Sequence, residues 1–299
     1  NEFMNAPKGL IPARIFGRGL VEKDKTAYEF QTAMLLNKNE IGNFIRDMAK
    51  KMNEVYSVKA KKIPIMPDAI TVDLLENLDY SLNKFPIGYD TMTKGPTFYN
   101  FSNVQFLPIL SNNMNDSKIA FVFAVIKMLA KLKDINLVIV DFVDGFDKDY
   151  GVKCYKENLD EAIKEIYNNV VQTKETDKTT VYVFFGIGQK QSVLDPKVNA
   201  LLDKMFSELD DKKPVKCFFV DTYTSYSRIM ADSWYESRVD NSNGIWLGEE
   251  FTGQLAITGS TITYEEKEIY FPYVAFVLKN GKHKIIKYVV EHVEENNEE

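Results

Sequence analysis

QFLPILSNNMNDSKIAFVFAVIKMLAKL runs from Gln105 to Leu132. Its first apolar run, 106–110, is too short for a buried helix and reads as a fully buried parallel strand. A polar string follows, and a long helical pattern begins near Ser117 or Lys118. Asn, Asp and Ser are what a turn and a helix start require in any case, because their short side chains accept hydrogen bonds from free backbone N–H groups. The segment is therefore strand, turn, helix, and its polar residues need no chemistry of their own to be explained.

The same order of elements is used to bind phosphate. In the pattern GxxxxGK[ST], glycines let the backbone approach the anion, Lys meets the β- and γ-phosphates, and a hydroxyl holds Mg²⁺. The best alignment sets Asn112 and Ser117 at the glycines, Lys118 at the lysine and Ile119 at the hydroxyl. Shifting by one residue sets Ser111 and Asp116 at the glycines, Ser117 at the lysine and Lys118 at the hydroxyl, which is a poorer match. Neither register is intact. In the preferred one only Lys118 keeps its chemistry, and Asp116 adds a carboxylate beside the phosphate position. Asn112 can accept a left-handed backbone; Ser117 is less suited to one.

Downstream, the chain repeats the strand and helix alternation. INLVIV (135–140) ending at Asp141 is a second strand, and 159–171 a helix. Residues 179–189 are a third strand, 193–209 a helix, 215–221 a fourth strand and 225–238 a further helix. Such alternation builds βαβ units and a mainly parallel sheet with helices on both faces, hence an α/β three-layer fold. Ligands of such sheets bind beyond the carboxyl ends of the strands, where the loop 112–117 would lie. Strands at 268–278 and 283–290, joined by Asn280-Gly281, form a carboxy-terminal β-hairpin.

Upstream, two strands flank the charged turn 22–25, the second running to Leu36. An amphipathic helix over 39–56 follows, with Ile41, Phe44, Ile45, Met48 and Met52 on one face and Asn37 or Asn39 as cap. Pro64 and Pro67 mark an extended stretch before a short helix from about Thr71. Residues 85–101 read as a hairpin. This makes 8–101 an N-terminal β/α extension leading into a core of 102–290, with an acidic tail at 291–299 that should fray. No repeat or low-complexity linker divides the chain, so one domain over 1–299 is expected.

The chain has 299 residues, 45% hydrophobic and 13% aromatic, enough for a full core. Its net charge of −6 and pI near 5.3 disfavour a nucleic-acid surface, which needs a basic stripe. Two cysteines, Cys154 and Cys217, lie in or near apolar runs and are expected as free thiols in a reducing compartment. Two histidines, His283 and His292, supply neither a metal cluster nor a triad. No apolar run reaches the roughly 18 residues of a membrane span, and no signal peptide opens the chain. The chain reads as an excised piece of something larger.

Several strings occur in a telling order: FGRGL with YEFQTA, FPIGYD, the altered phosphate loop, LVIVDF, then NGIWLG and GQ. Together, over residues 8–290, they resemble the FtsK/SpoIIIE-type ATPase modules of type VII secretion proteins, the EssC/EccC family, and most closely a carboxy-terminal module. The resemblance implies a RecA/FtsK-like P-loop NTPase fold. It sets the family's P-loop lysine on Lys118 and its Mg²⁺ hydroxyl on Ile119. The acid of its second motif, apolar residues followed by Asp-Gly, falls on Phe185, ahead of Gly186. Both metal contacts are then missing, and each such loss of transition-state stabilisation is worth about two to three powers of ten in rate. No catalytic or metal residue is assigned, and ATP with Mg²⁺ is a doubtful cofactor.

The family implies further expectations: a cytoplasmic domain of a membrane-anchored motor involved in virulence, reaching the membrane only through a part outside this chain. Its partners would be sibling ATPase modules and secreted WXG100-type proteins. The role would be recognition or regulation. The alternative is a residual ATPase using Lys118 with Asp141 or Asp144 and an arginine, Arg228 or Arg238. A DNA translocase is disfavoured by charge. Ordinary turns account for Asp141 and Asp144, and surface ion pairs for the arginines. Gly186 and Gly188 lack the rest of a dinucleotide fingerprint. Trp234, Trp246, Tyr223, Tyr226 and Tyr235 suit either an interface or a core, with core preferred.

Overall fold

A computed structural model describes residues 15, 17–23, 26–32, 40–56, 64–267 and 271–291. The chain divides into two compact units, 1–63 and 64–299, a division the expectation of one domain did not include. In the first unit, β1 (Arg18–Lys23) and β2 (Thr26–Gln31) pair antiparallel with Arg18 opposite Gln31 and Lys23 opposite Thr26. The expected hairpin is present, although its second strand ends at Gln31. Helix α1 (Ile41–Val55) follows the anticipated periodicity. Its cap position is Glu40, which makes no side-chain capping bond; Asn37 and Asn39 lie outside the described residues.

The second unit contains β3 (Ile70–Thr71), α2 (Val72–Glu76), β4 (Phe85–Asp90), β5 (Pro96–Tyr99), β6 (Phe106–Ser111) and α3 (Asp116–Ala130). It continues with β7 (Ile135–Asp141), β8 (Lys153–Tyr155), α4 (Leu159–Gln172), β9 (Thr179–Phe185), α5 (Lys190–Val193), α6 (Pro196–Glu208) and β10 (Val215–Thr222). It ends with β11 (Gly244–Leu247), β12 (Val274–Lys279) and β13 (Lys282–Val290). One sheet of eleven strands runs β5-β4-β13-β12-β11-β6-β10-β9-β7-β8, with β3 beside β13. The half from β11 to β8 is parallel; β12, β13, β4 and β5 extend it antiparallel.

Period-two alternation sorts each strand's side chains onto two faces. Leu107, Ile109, Val181, Val183, Phe185, Phe218, Val220, Ile245 and Leu247 face α3. Phe106, Leu110, Tyr182, Phe184, Cys217, Phe219 and Trp246 face α4 and α6. The result is three layers, as the sequence leads one to expect, and β6, buried at every position, is central. Each large apolar side chain removed from water contributes about 1.5–3 kcal/mol.

Several boundaries differ from expectation for local reasons. The third core strand stops at Phe185, because Gly186 turns left-handed (φ 66°) and a short helical turn takes Ile187–Gln189. The helix expected over 193–209 is broken by Asp195-Pro196. Pro opens α6 at a position where its missing N–H costs nothing, and the Asp195 carboxylate caps Lys197 N. The stretch 225–238 is not one helix. It forms turns at Tyr223–Tyr226, Ile229–Ala231 and Tyr235–Arg238, interrupted where Asp232 is extended (ψ 141°). Trp234, Tyr226, Tyr235 and Trp246 are all buried, so that aromatic group is core. The hairpin at Asn280 and Gly281 is present, its first strand beginning at Val274. Residues 268–270 and the acidic tail beyond Glu291, with His292, lie outside the described residues. Cys154 and Cys217 are both free.

Candidate functional site

Parallel pairing carries the ends of β6 and β11 to the same edge, with Ile109 beside Ile245 and Leu110 beside Trp246. Ser111, where β6 ends, donates its Oγ hydrogen to Leu247 O at 2.7 Å. The loop 112–115 therefore faces the turn 248–250. Because β12 is antiparallel to β11 and β13 to β12, Tyr273 and Tyr288 arrive at this edge too. Together they enclose a cavity of ≈350 Å³ lined by Asn112, Asn113, Asn115, Ser117, Lys118, Gly248, Glu249, Glu250, Tyr273 and Tyr288 among others.

Helix α3 starts here by ordinary capping. Asn115 Oδ1 accepts from Lys118 N at 3.3 Å and from Ser117 Oγ at 3.0 Å, so part of the helix's free N–H array is already satisfied. Tyr288 OH donates to Ser117 O at 3.1 Å, and burial pushes its phenol up to about 12. Neither Asn112 nor Ser117 has a positive φ, so the loop lacks the glycine-type conformation a phosphate cradle uses.

The Lys118 ammonium donates to Asn113 Oδ1 at 2.7 Å. Burial holds its pKa below the ordinary value, and the Glu249 and Glu250 carboxylates push it the other way. Asn112 Nδ2 donates to Glu250 Oε2 at 2.6 Å, bonding the loop to the turn. These two glutamates escaped the sequence reading. The string NGIWLGEE contains them, but the contact between Asn112 and Glu250 spans 138 residues and rests on strand order alone.

The remaining sequence candidates are placed as follows. Asp116 is the exposed first residue of α3, and Ile119 leans on the core beneath it. Phe185 is 2% exposed, with its ring 5.7 Å from that of Phe146, so it stands in the apolar core rather than in the cavity. A Cβ on Gly186 would fall 2.3 Å from Val143 Cγ1. Asp141 is buried and accepts from Val143 N at 3.1 Å and Phe146 N at 2.8 Å, the work of a strand-ending turn. Asp144, with positive φ, pairs with Lys156 at 3.0 Å. Arg238 donates to Gln105 Oε1, Leu209 O and Asp211 Oδ1, a structural clamp. Arg228 donates to Gln189 Oε1 at 3.0 Å.

Two further polar groupings have structural roles. Lys190 is fully buried, within 2.6 Å of Asp203 and 3.0 Å of Asp232, and ties α5, α6 and the segment after β10 together. Ser260 Oγ lies 2.7 Å from His283 Nδ1, and His283 Nε2 lies 3.0 Å from Glu266. Those residue types serve acyl transfer elsewhere. Here the Ser260 amide, needed for an oxyanion, already donates to Gly281 O, and Glu266 accepts from Thr263 N as a helix cap. The group fastens residues 260–266 to the β12–β13 turn. Among the described residues, no group of three or more His, Cys, Asp or Glu side chains is placed to hold a metal ion, and no helix is long and apolar enough to cross a membrane.

Fold and edge loop are those of a P-loop fold, and the residues that the resemblance sets at its magnesium positions do not fit magnesium nucleotide. Ile119 offers no oxygen, Phe185 is buried in hydrocarbon, and two carboxylates share the cavity with the one lysine. No family model and no curated protein matches the chain. Solved structures do. EssC (ATPases 2 and 3) from Geobacillus thermodenitrificans superposes with TM-score 0.63 and 17% identity, covering 94% of this chain and 56% of that one. The cytoplasmic domain of EssC gives 0.60 and 17%, covering 94% and 59%. Thermomonospora curvata EccC (ATPases 2 and 3) in complex with a signal sequence peptide gives 0.58 and 11%, covering 95% and 55%. The chain thus has the fold of the EssC and EccC ATPase modules, and spans somewhat over half the length of each of these structures.

Proposed function

We propose that this chain is a degenerate, non-hydrolysing P-loop module of a type VII secretion motor, acting in recognition or regulation of exported protein rather than in nucleotide turnover. The reading is carried by one observation: both positions that should supply magnesium ligands are apolar, Ile119 at the core margin and Phe185 inside it. Without those ligands the charge developing on a transferred phosphoryl group goes uncompensated. Support for the secretion context comes from the fold likeness to EssC and EccC, and for a protein-binding role from the EccC structure that carries a signal sequence peptide. The neighbours described as ATPases 2 and 3 make sibling modules the natural partners within a longer polypeptide.

The test is a titration of the purified chain with Mg·ATP by calorimetry and thermal shift, alongside a turnover assay, with Lys118→Ala as control. The expected result is no turnover above background and no binding that depends on Lys118. Hydrolysis abolished by Lys118→Ala would overturn the reading and restore an ATPase.

A further inference from the structure

On the non-nucleotide reading proposed above, Lys118 has a role other than meeting phosphate. Lys118 does not project freely into the cavity. Its stem crosses the β11 turn so closely that a Cβ on Gly248 would stand 2.8 Å from Lys118 Cε. That turn is rigidly made. Gly248 N donates to Val274 O at 2.8 Å, and the buried Trp246 Nε1 donates to Glu249 O at 2.7 Å. Gly248 and Glu250 both take positive φ, 91° and 59°. The carboxylates of Glu249 and Glu250 are thus presented by a fixed backbone on the wall opposite the loop. Glu250 also reaches Asn112 at 2.6 Å, at the loop position from which a phosphate cradle begins.

We propose that Glu249 and Glu250 are resident anions of the phosphate pocket: they answer the charge of Lys118 and the amide of Asn112 from within the chain, and thereby exclude polyphosphate. The proposal rests on the non-nucleotide reading above and deepens it by naming the residues that set the pocket's specificity. An incoming polyphosphate, bearing several negative charges, meets two carboxylates on the cavity wall and a lysine already donating to Asn113. Repulsion between such neighbours opposes binding most at low ionic strength, where solvent ions screen it least. At the helix start Asn115 already takes the Lys118 N–H, and Asp116 adds a carboxylate to the first turn.

The experiment is calorimetric titration with sodium tripolyphosphate, without metal, at low ionic strength. It compares the wild type, Glu249→Gln/Glu250→Gln, the same pair with Lys118→Ala, and Glu161→Gln/Glu208→Gln, which removes equal charge from exposed helical positions elsewhere. The expected result is at least about tenfold tighter binding in the first double variant, a gain that salt erodes. Lys118→Ala should abolish that gain and the distant pair should not reproduce it. Both glutamates are exposed, so the variants should fold; the single substitutions Glu249→Gln and Glu250→Gln, each giving part of the gain, guard against disturbance of the Asn112 contact. An affinity within twofold of wild type, or a gain that survives loss of Lys118 or appears in the distant pair, overturns the proposal. The readout is a ratio of affinities without hydrolysis, so it stands or falls separately from the turnover test.

Discussion

Phe185 and Lys118 stand near the same edge of the sheet, the first buried in the core and the second lining the cavity. Placing an acid there by Phe185→Asp should not confer ATP turnover. The side chain is 2% exposed among α3-facing apolar residues, so the variant loses a buried ring and gains an unpaired charge, a cost of about 4–6 kcal/mol. Chemical denaturation should read that loss, while Phe185→Leu, which keeps an apolar side chain there, should cost about 1–1.5 kcal/mol. Lys118 yields a titration test. Burial lowers its pKa and the two glutamates raise it, so Glu249→Gln/Glu250→Gln should lower it further, as a Cε chemical-shift titration would read. The sign for stability follows: the unfolded chain then binds the proton more tightly, so stability rises with pH from the depressed value towards the ordinary 10.5. A Lys118 pKa unchanged or raised in the double variant would refute the coupling.

Among the elements, those whose periodicity is uninterrupted were legible in the sequence: β6, α3, β7, α4, β10 and the Asn280-Gly281 hairpin. Capping explains why α3 starts where it does, and Asn115→Ala should cost about 1 kcal/mol, seen as a drop in the denaturation midpoint without a change in slope. Legibility fails where tertiary contacts override local pattern. The 225–238 stretch has helical spacing, but burial of Trp234, with its Nε1 donating to Asp203 at 3.0 Å, and the ion pair from Lys190 to Asp232 hold the backbone in separate turns. Asp195-Pro196 is itself a helix-start signal, and α6 begins there rather than at residue 193. The phosphate-like loop and its lysine were legible, since they are contiguous. The glutamates that face them were not, because only the adjacency of β6 and β11 brings residues 112 and 250 together.

For the whole molecule, the division at Ile63 predicts that residues 64–299 fold alone, since both faces of the large sheet find their cover within that unit. A chain lacking 1–63 should unfold in one cooperative transition by calorimetry; a broad, non-cooperative melt would show that the first unit is needed. The sheet also imposes an order on synthesis. β4 lies between β5 and β13, and Thr91 Oγ1 donates to Ile285 O across 194 residues. At about 5–20 residues per second, the β4–β5 hairpin leaves the ribosome roughly 10–40 s before the strand it joins. Through that interval Phe85, Ile87 and Tyr99, all buried in the finished unit, have no completed sheet to enter. A nascent chain halted before residue 282 should therefore be a chaperone client, released only when its last hairpin emerges.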